Sequence, residues 1–140
     1  MPAEDIPEDE RMTPAELRVI REYLGLPGEW IARELGVQER TWRRWEAGTS
    51  PIPDGVRLHI EDIEEQTAQL VHQVVQQLMD LLDPAVVTYR SDAEYRQAHP
   101  ELRWPATWHR ALIARAAQEV PGLVITYPPT EEPRSAGAVT

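Results

Sequence analysis

The sequence predicts a mainly α-helical fold: a helix-turn-helix domain, then a long helix and a small helical C-terminal module with two short strands. Three observations predict it. Three short stretches with helical periodicity, each closed by a glycine (Gly25, Gly36, Gly48), crowd into residues 13–48. From Val56 to Leu81 apolar residues step by three and four without a proline. Beyond Pro84, two apolar β-prone runs bracket two further helical stretches.

Each element has a local reason. Thr13-Pro14-Ala15-Glu16 combines a capping hydroxyl, a proline suited to the first helical position and a glutamate three residues on, which together make a capping box. Leu17, Ile20 and Leu24 then recur at helical spacing until Gly25. A second helix is expected from about Gly28 to Leu35, and a third over 38–47. Pro53-Asp54 opens the long run, whose stripe Val56, Ile60, Ile63, Thr67, Leu70, Val74, Leu78 and Leu81 reads as a coiled-coil seam or as the inner face of a helix packed on its own domain. Of the two, the seam is favoured, and with it a homodimer. Val86–Tyr89 reads as a strand, Ser91-Asp92-Ala93-Glu94 as a second capping box opening a helix to about Ala98, Pro105–Val120 as a helix and Leu123–Tyr127 as the second strand. A lone strand pair is marginal in water, so it should pack on helices or across a dimer. The expected domains are an acidic disordered tail over 1–12, the helix-turn-helix domain over 13–65, a dimerisation or interaction module over 66–127, and a second disordered tail over 128–140.

Composition bounds the chemistry. The 140 residues carry a net charge of −10 and no Cys, which excludes disulfides, thiolate zinc sites, iron–sulfur clusters and cysteine nucleophiles. All 14 basic residues are Arg, so any anion contact must use the planar guanidinium fork. The acidity is uneven. Residues 1–10 hold five acids and no base, 61–83 hold six acids and no base, and 12–60 balance seven Arg against seven acids. The middle is therefore free to be locally basic. The acidic start and the lack of a long apolar run predict a cytoplasmic protein with no membrane span.

The residues Gly25-Leu26, Ile31-Ala32, Leu35-Gly36-Val37, Thr41, Trp45-Glu46 and Gly48 resemble the lambda-repressor-like (Xre/Cro) helix-turn-helix family over about residues 13–65. The Leu-Gly-Val turn and the Trp-Glu-x-Gly close are the most telling parts. The resemblance implies a structural salt bridge between Arg21 and Glu46. It also implies DNA-contacting positions at Gln38, Glu39, Arg40, Arg43 and Arg44, with Thr49 and Ser50 placed for phosphate. A helical wheel agrees. Trp42 and Trp45 fall on one side of 38–47 and Arg40, Arg43 and Arg44 on the other, the layout of a major-groove helix. Arg suits guanine O6 and N7, Gln suits adenine, and Glu can accept from cytosine N4. Two departures stand out: Gly28 occupies the place where the family keeps a phosphate-contacting Gln, and Glu29 follows it.

Other chemistries lack their residues. His59, His72, His99 and His109 show no metal-ligand spacing and read as surface or interface residues; no nucleophile elbow or phosphate-cradling loop is present. Trp30, Trp42, Trp45, Trp104 and Trp108 read as core. No enzyme, cofactor or metal is expected. The predicted function is a sequence-specific DNA-binding regulator acting on double-stranded DNA as a homodimer. The alternative is a protein-interaction module of the antitoxin or adaptor type that keeps the scaffold and binds a protein partner. The acidic N-terminal tail is expected to compete with DNA for the arginine face.

Overall fold

The capping box, the glycine stops and the long periodic run all recur in the three-dimensional arrangement, a computed structural model that describes residues 11–130. The expectations for the two tails fall largely on residues 1–10 and 131–140, outside the described residues. The described residues are mainly helical, with one two-stranded sheet among them. Helix α1 spans Pro14–Tyr23, α2 Gly28–Glu34, α3 Glu39–Ala47, α4 Gly55–Met79, α5 Asp92–Ala98 and α6 Ala106–Ala117. Strands β1 (Ala85–Val87) and β2 (Val124–Thr126) pair in parallel, Val86 opposite Ile125.

The first three helices begin and end for the reasons the residues suggest. The Thr13 hydroxyl accepts from the Glu16 N–H at 3.0 Å, and the Glu16 carboxylate accepts from the Thr13 N–H at 3.0 Å. Gly25 takes φ +70° beyond α1, where the Leu26 N–H turns back to the Arg21 carbonyl at 3.1 Å. It also has a tertiary role. A Cβ there would lie 2.4 Å from the carbonyl oxygen of Thr107, and the Thr107 hydroxyl donates to the Gly25 carbonyl at 2.6 Å. The start of α6 thus rests directly on the end of α1. Between α2 and α3, Gly36 turns at φ +75° and Val37 donates to the Ala32 carbonyl, making a compact helix-turn-helix unit.

Helix α4 has 25 residues, roughly 37 Å, and passes unbroken through Gln66. Its inward face packs along α6 of its own chain. The buried line is Val56, Ile60, Ile63, Thr67, Val71, Val75 and Leu78. The sequence stripe therefore holds as far as Thr67 and again at Leu78, but between them Val71 and Val75 are the buried positions, leaving Leu70 and Val74 half-buried, and Leu81 is exposed beyond the helix. A straight helix repeats every 3.6 residues, and a heptad seam every 3.5. The apolar face is thus the inner face of a helix packed on its own domain, the other of the two readings its spacing allowed. At its middle the Thr67 hydroxyl donates to the Ile63 carbonyl (2.8 Å) and accepts from the Trp108 indole N–H (3.0 Å).

The remaining elements close around α6. The Ser91 side chain caps α5 through the Glu94 N–H, but Glu94 accepts from the Arg90 N–H rather than completing a box on Ser91. The Asp92 carboxylate caps α6 by accepting from the Ala106 N–H at 2.8 Å. One hydrophobic cluster runs from Leu17 to Val120, so the helix-turn-helix unit and the rest share a core. Among the described residues no helix is long and apolar enough to cross a membrane.

Candidate nucleic-acid interface

The candidate interface is the outer face of α3, and its precision comes from what holds the inner face. Trp42 and Trp45 are buried, their rings 5.6 Å apart. The Glu46 carboxylate accepts from three N–H groups: Trp42 Nε1 at 2.6 Å, Arg21 Nε at 2.5 Å and the second Arg21 terminal nitrogen at 3.0 Å. The other Arg21 nitrogen donates to the Leu26 carbonyl at 3.1 Å. The salt bridge implied by the family resemblance is therefore formed, bidentate and largely shielded from solvent. The hydrogen bond to Glu46 raises the Arg21 pKa above its ordinary value, against the opposing effect of burial. Such a pair fixes geometry more reliably than it adds stability. Here it bolts α3 to α1.

With that face fixed, Arg40, Arg43 and Arg44 project outward and are exposed. Arg40 donates to the Gln38 side-chain oxygen at 3.3 Å, and Arg43 pairs with Glu39 one turn back at 3.0 Å. Both contacts are on the surface, where an ion pair is held by well under about 1 kcal/mol and yields readily to a stronger anion. The guanidinium of Arg44 has no hydrogen bond or ion pair among the described residues. Thr49 and Ser50 lie just past the helix, both N–H groups turned to the Arg44 carbonyl, with the Thr49 hydroxyl exposed. The predicted positions Gln38, Glu39, Arg40, Arg43, Arg44, Thr49 and Ser50 thus sit together on one helix and its exit.

The two departures also have a geometry. Gly28 begins α2, and a Cβ there would meet only Trp42 Cδ1 at 3.7 Å, an ordinary contact, so nothing in the packing requires glycine. Glu29 is exposed in the first turn of α2. A carboxylate there suits the helix dipole and repels a phosphate.

Some arrangements were invisible in the sequence. Trp30, Trp104 and Trp108 form one stacked ladder, with centroids 5.4 and 4.2 Å apart, joining α2 to α6. The Trp30 indole donates to the Arg103 carbonyl, and Arg103 pairs with Glu34 at 3.0 Å. The stacking of residues 74 positions apart has no local signature. Nor are all the histidines surface residues. His109 is half-buried, its Nδ1 2.7 Å from the Thr88 hydroxyl, beside the stacked rings of Tyr89 and Tyr95. Burial first, then the neighbouring His99 and Arg110, lower its pKa to about 4. Among the described residues no group of acids and histidines could hold a metal ion.

Fold and site together define a helix-turn-helix protein whose third helix displays an arginine face. Residues 12–115 match the Aca2/YdiL-like family, and the chain belongs to it. That match extends from α1 through most of α6, beyond the stretch that carries the lambda-repressor-like resemblance. The chain is also similar to the Aca2 repressor of Pectobacterium phage ZF40, with 29% identity over 116 residues covering 82% of this chain and 94% of the relative.

Proposed function

We propose that this protein is a sequence-specific DNA-binding transcriptional repressor that reads the major groove with α3 as a homodimer. The observation that carries the proposal is the triad Arg40, Arg43 and Arg44, exposed on a helix whose other face is locked by Trp42, Trp45 and the Arg21–Glu46 bridge. The held helix backbone sets which base each arginine can reach, and the planar guanidinium fork matches the guanine O6 and N7 edge. The relative named a repressor supports the regulatory role. Arg44 is the lead base reader, since no internal partner must be displaced. Arg43 exchanges Glu39 for DNA, and Thr49 supplies a phosphate contact.

The dimer rests on the module beyond α4. A parallel strand pair normally has both faces covered. Here Val87, Val124, Ile125 and Tyr127 remain exposed, as do Leu81 and Leu82 just before β1, the last 98% exposed. This surface, rather than the α4 stripe, is the dimer contact we assign. The adaptor reading draws on Gly28 and Glu29, which remove one phosphate contact and add a repulsive charge. Salt separates the readings. The affinity for DNA falls by nearly one logarithmic unit per tenfold rise in salt for each phosphate contacted, whereas an apolar protein interface does not weaken in this way.

The test is selection from randomised duplexes at about 0.1 M salt, with Arg43→Ala/Arg44→Ala and Leu82→Glu/Ile125→Glu in parallel. The expected result is a two-fold symmetric motif, lost with the first variant and reduced to a half-site with the second. A folded protein that enriches nothing overturns the proposal.

A further inference from the structure

We infer that the trough between α1 and α4 is a docking site for a short, basic, amphipathic helix of a partner protein. The trough has a volume of about 920 Å³ and is lined from Ala15 to Tyr23 on α1 and from Arg57 to Ala68 on α4. At 1.5 Å per residue it is roughly 12–16 Å long, the span of two to three helical turns. Its floor is apolar. Val19 is 66% exposed and Tyr23 51%, with Ile60 buried beneath them. Leu17 on the same helix is fully buried, so α1 is apolar on two sides, one inside the core and one facing this trough. A run of exposed apolar side chains in one concavity marks an interaction surface rather than scattered surface carbon. The trough is open to solvent. That suits a helix laid into it better than a small molecule, which needs most of its surface enclosed.

The rim selects the sign of the occupant. Glu16, Glu61, Glu64 and Glu65 stand along the trough against Arg57. Glu64 is neutralised by a bidentate contact from Arg115 at 3.0 and 3.2 Å. Among the described residues Glu61 has only a loose contact with Arg57 at 3.9 Å, and Glu65 only the Gln69 amide at 3.3 Å. Both carboxylates belong to the stretch 61–83, which has six acids and no base. An occupant with Leu, Ile or Met at i, i+3 or i+4 and i+7, flanked by Arg or Lys, complements both floor and rim. The protein's own residues 1–10 carry five acids and no base, the wrong sign for this rim.

The test uses the full chain and a displayed library of helical peptides. Enrichment of basic sequences with that apolar spacing is expected, and the best peptide, made synthetically, should lose affinity roughly tenfold or more on Val19→Asp. Glu61→Gln/Glu65→Gln should weaken it several-fold and flatten its salt dependence. Leu58→Asp, at a site equally exposed but outside the trough, should leave it unchanged. Enrichment of neutral or acidic peptides, or equal effects of Val19→Asp and Leu58→Asp, overturns the inference. So does a fall in solution mass on Val19→Asp, which assigns the trough to a second copy of the chain. None of these outcomes depends on whether α3 binds DNA.

Discussion

The helix-turn-helix unit and the module around α6 solve the same problem, burying polar groups, in opposite ways. In the first, a full ion pair is largely shielded from solvent: Glu46 satisfies Arg21 and the Trp42 indole at once. In the second, hydroxyls and imidazole rings bond to one another, Thr88 to His109 and Tyr89 to His99, around stacked tyrosines. Their surfaces are opposite too. The first unit exposes arginines on α3, and the second exposes Val124, Ile125 and Leu82. The difference teaches which face expects which partner. Charge held out on a rigid support suits an anion, and an uncovered apolar sheet suits another protein surface.

The comparison breaks most visibly at Glu46. Removing one partner of an enclosed pair leaves the other uncompensated, so Glu46→Ala is expected to destabilise the protein by about 3 kcal/mol. Thermal or urea unfolding followed by tryptophan fluorescence reads this directly. A loss below about 1 kcal/mol would mean that solvent reaches Arg21 freely. The next effect lies where the two regions touch. Gly25→Ala combines a left-handed backbone with a Cβ 2.4 Å from the Thr107 carbonyl, whereas Gly36→Ala meets only the backbone cost because nothing lies within 4 Å. Gly36→Ala should cost about 1–2 kcal/mol and Gly25→Ala distinctly more. Equal losses in urea titrations would show that α6 does not press on Gly25.

The module should respond to mild acid through His109. His109 has its pKa lowered from 6.5 to about 4 when folded, so between those values the unfolded chain takes up the proton first. The stabilisation is complete above about pH 6.5 and is lost as pH falls through the window toward 4. His109→Gln should flatten that part of the stability–pH profile, measured by urea titration at pH 7, 6 and 5. A slope unchanged by the substitution would remove His109 as its source. The smallest effect is a gain. Gly28→Gln restores a phosphate-reaching amide where there is room for it, and one added hydrogen bond is expected to tighten DNA binding about fivefold in a gel-shift titration. No gain would place the start of α2 away from the backbone of the duplex.

Much of this fold was legible locally. Thr13 and Glu16, the glycine stops and the split of Trp from Arg on α3 are short-range patterns, and short-range patterns decide helix starts, ends and faces. What covers a face is not local. The α4 stripe was correctly apolar, yet its spacing could not distinguish α6 from a second chain. The shift from Leu70 and Val74 to Val71 and Val75 fits a 3.6-residue repeat better than a heptad seam. The Trp30–Trp104–Trp108 ladder, the half-buried His109 and the trough beside Val19 all depend on contacts between distant segments. The arginines of the candidate site were named from the sequence because they lie on one helix.

The most direct test of the central claim replaces single operator guanines by 7-deazaguanine, which removes the N7 acceptor in the major groove and leaves base pairing intact. If Arg44 reads a guanine, the wild-type protein should lose about tenfold in affinity at that base, and Arg44→Ala should lose nothing further there. Wild-type binding indifferent to every such replacement would contradict major-groove reading by α3.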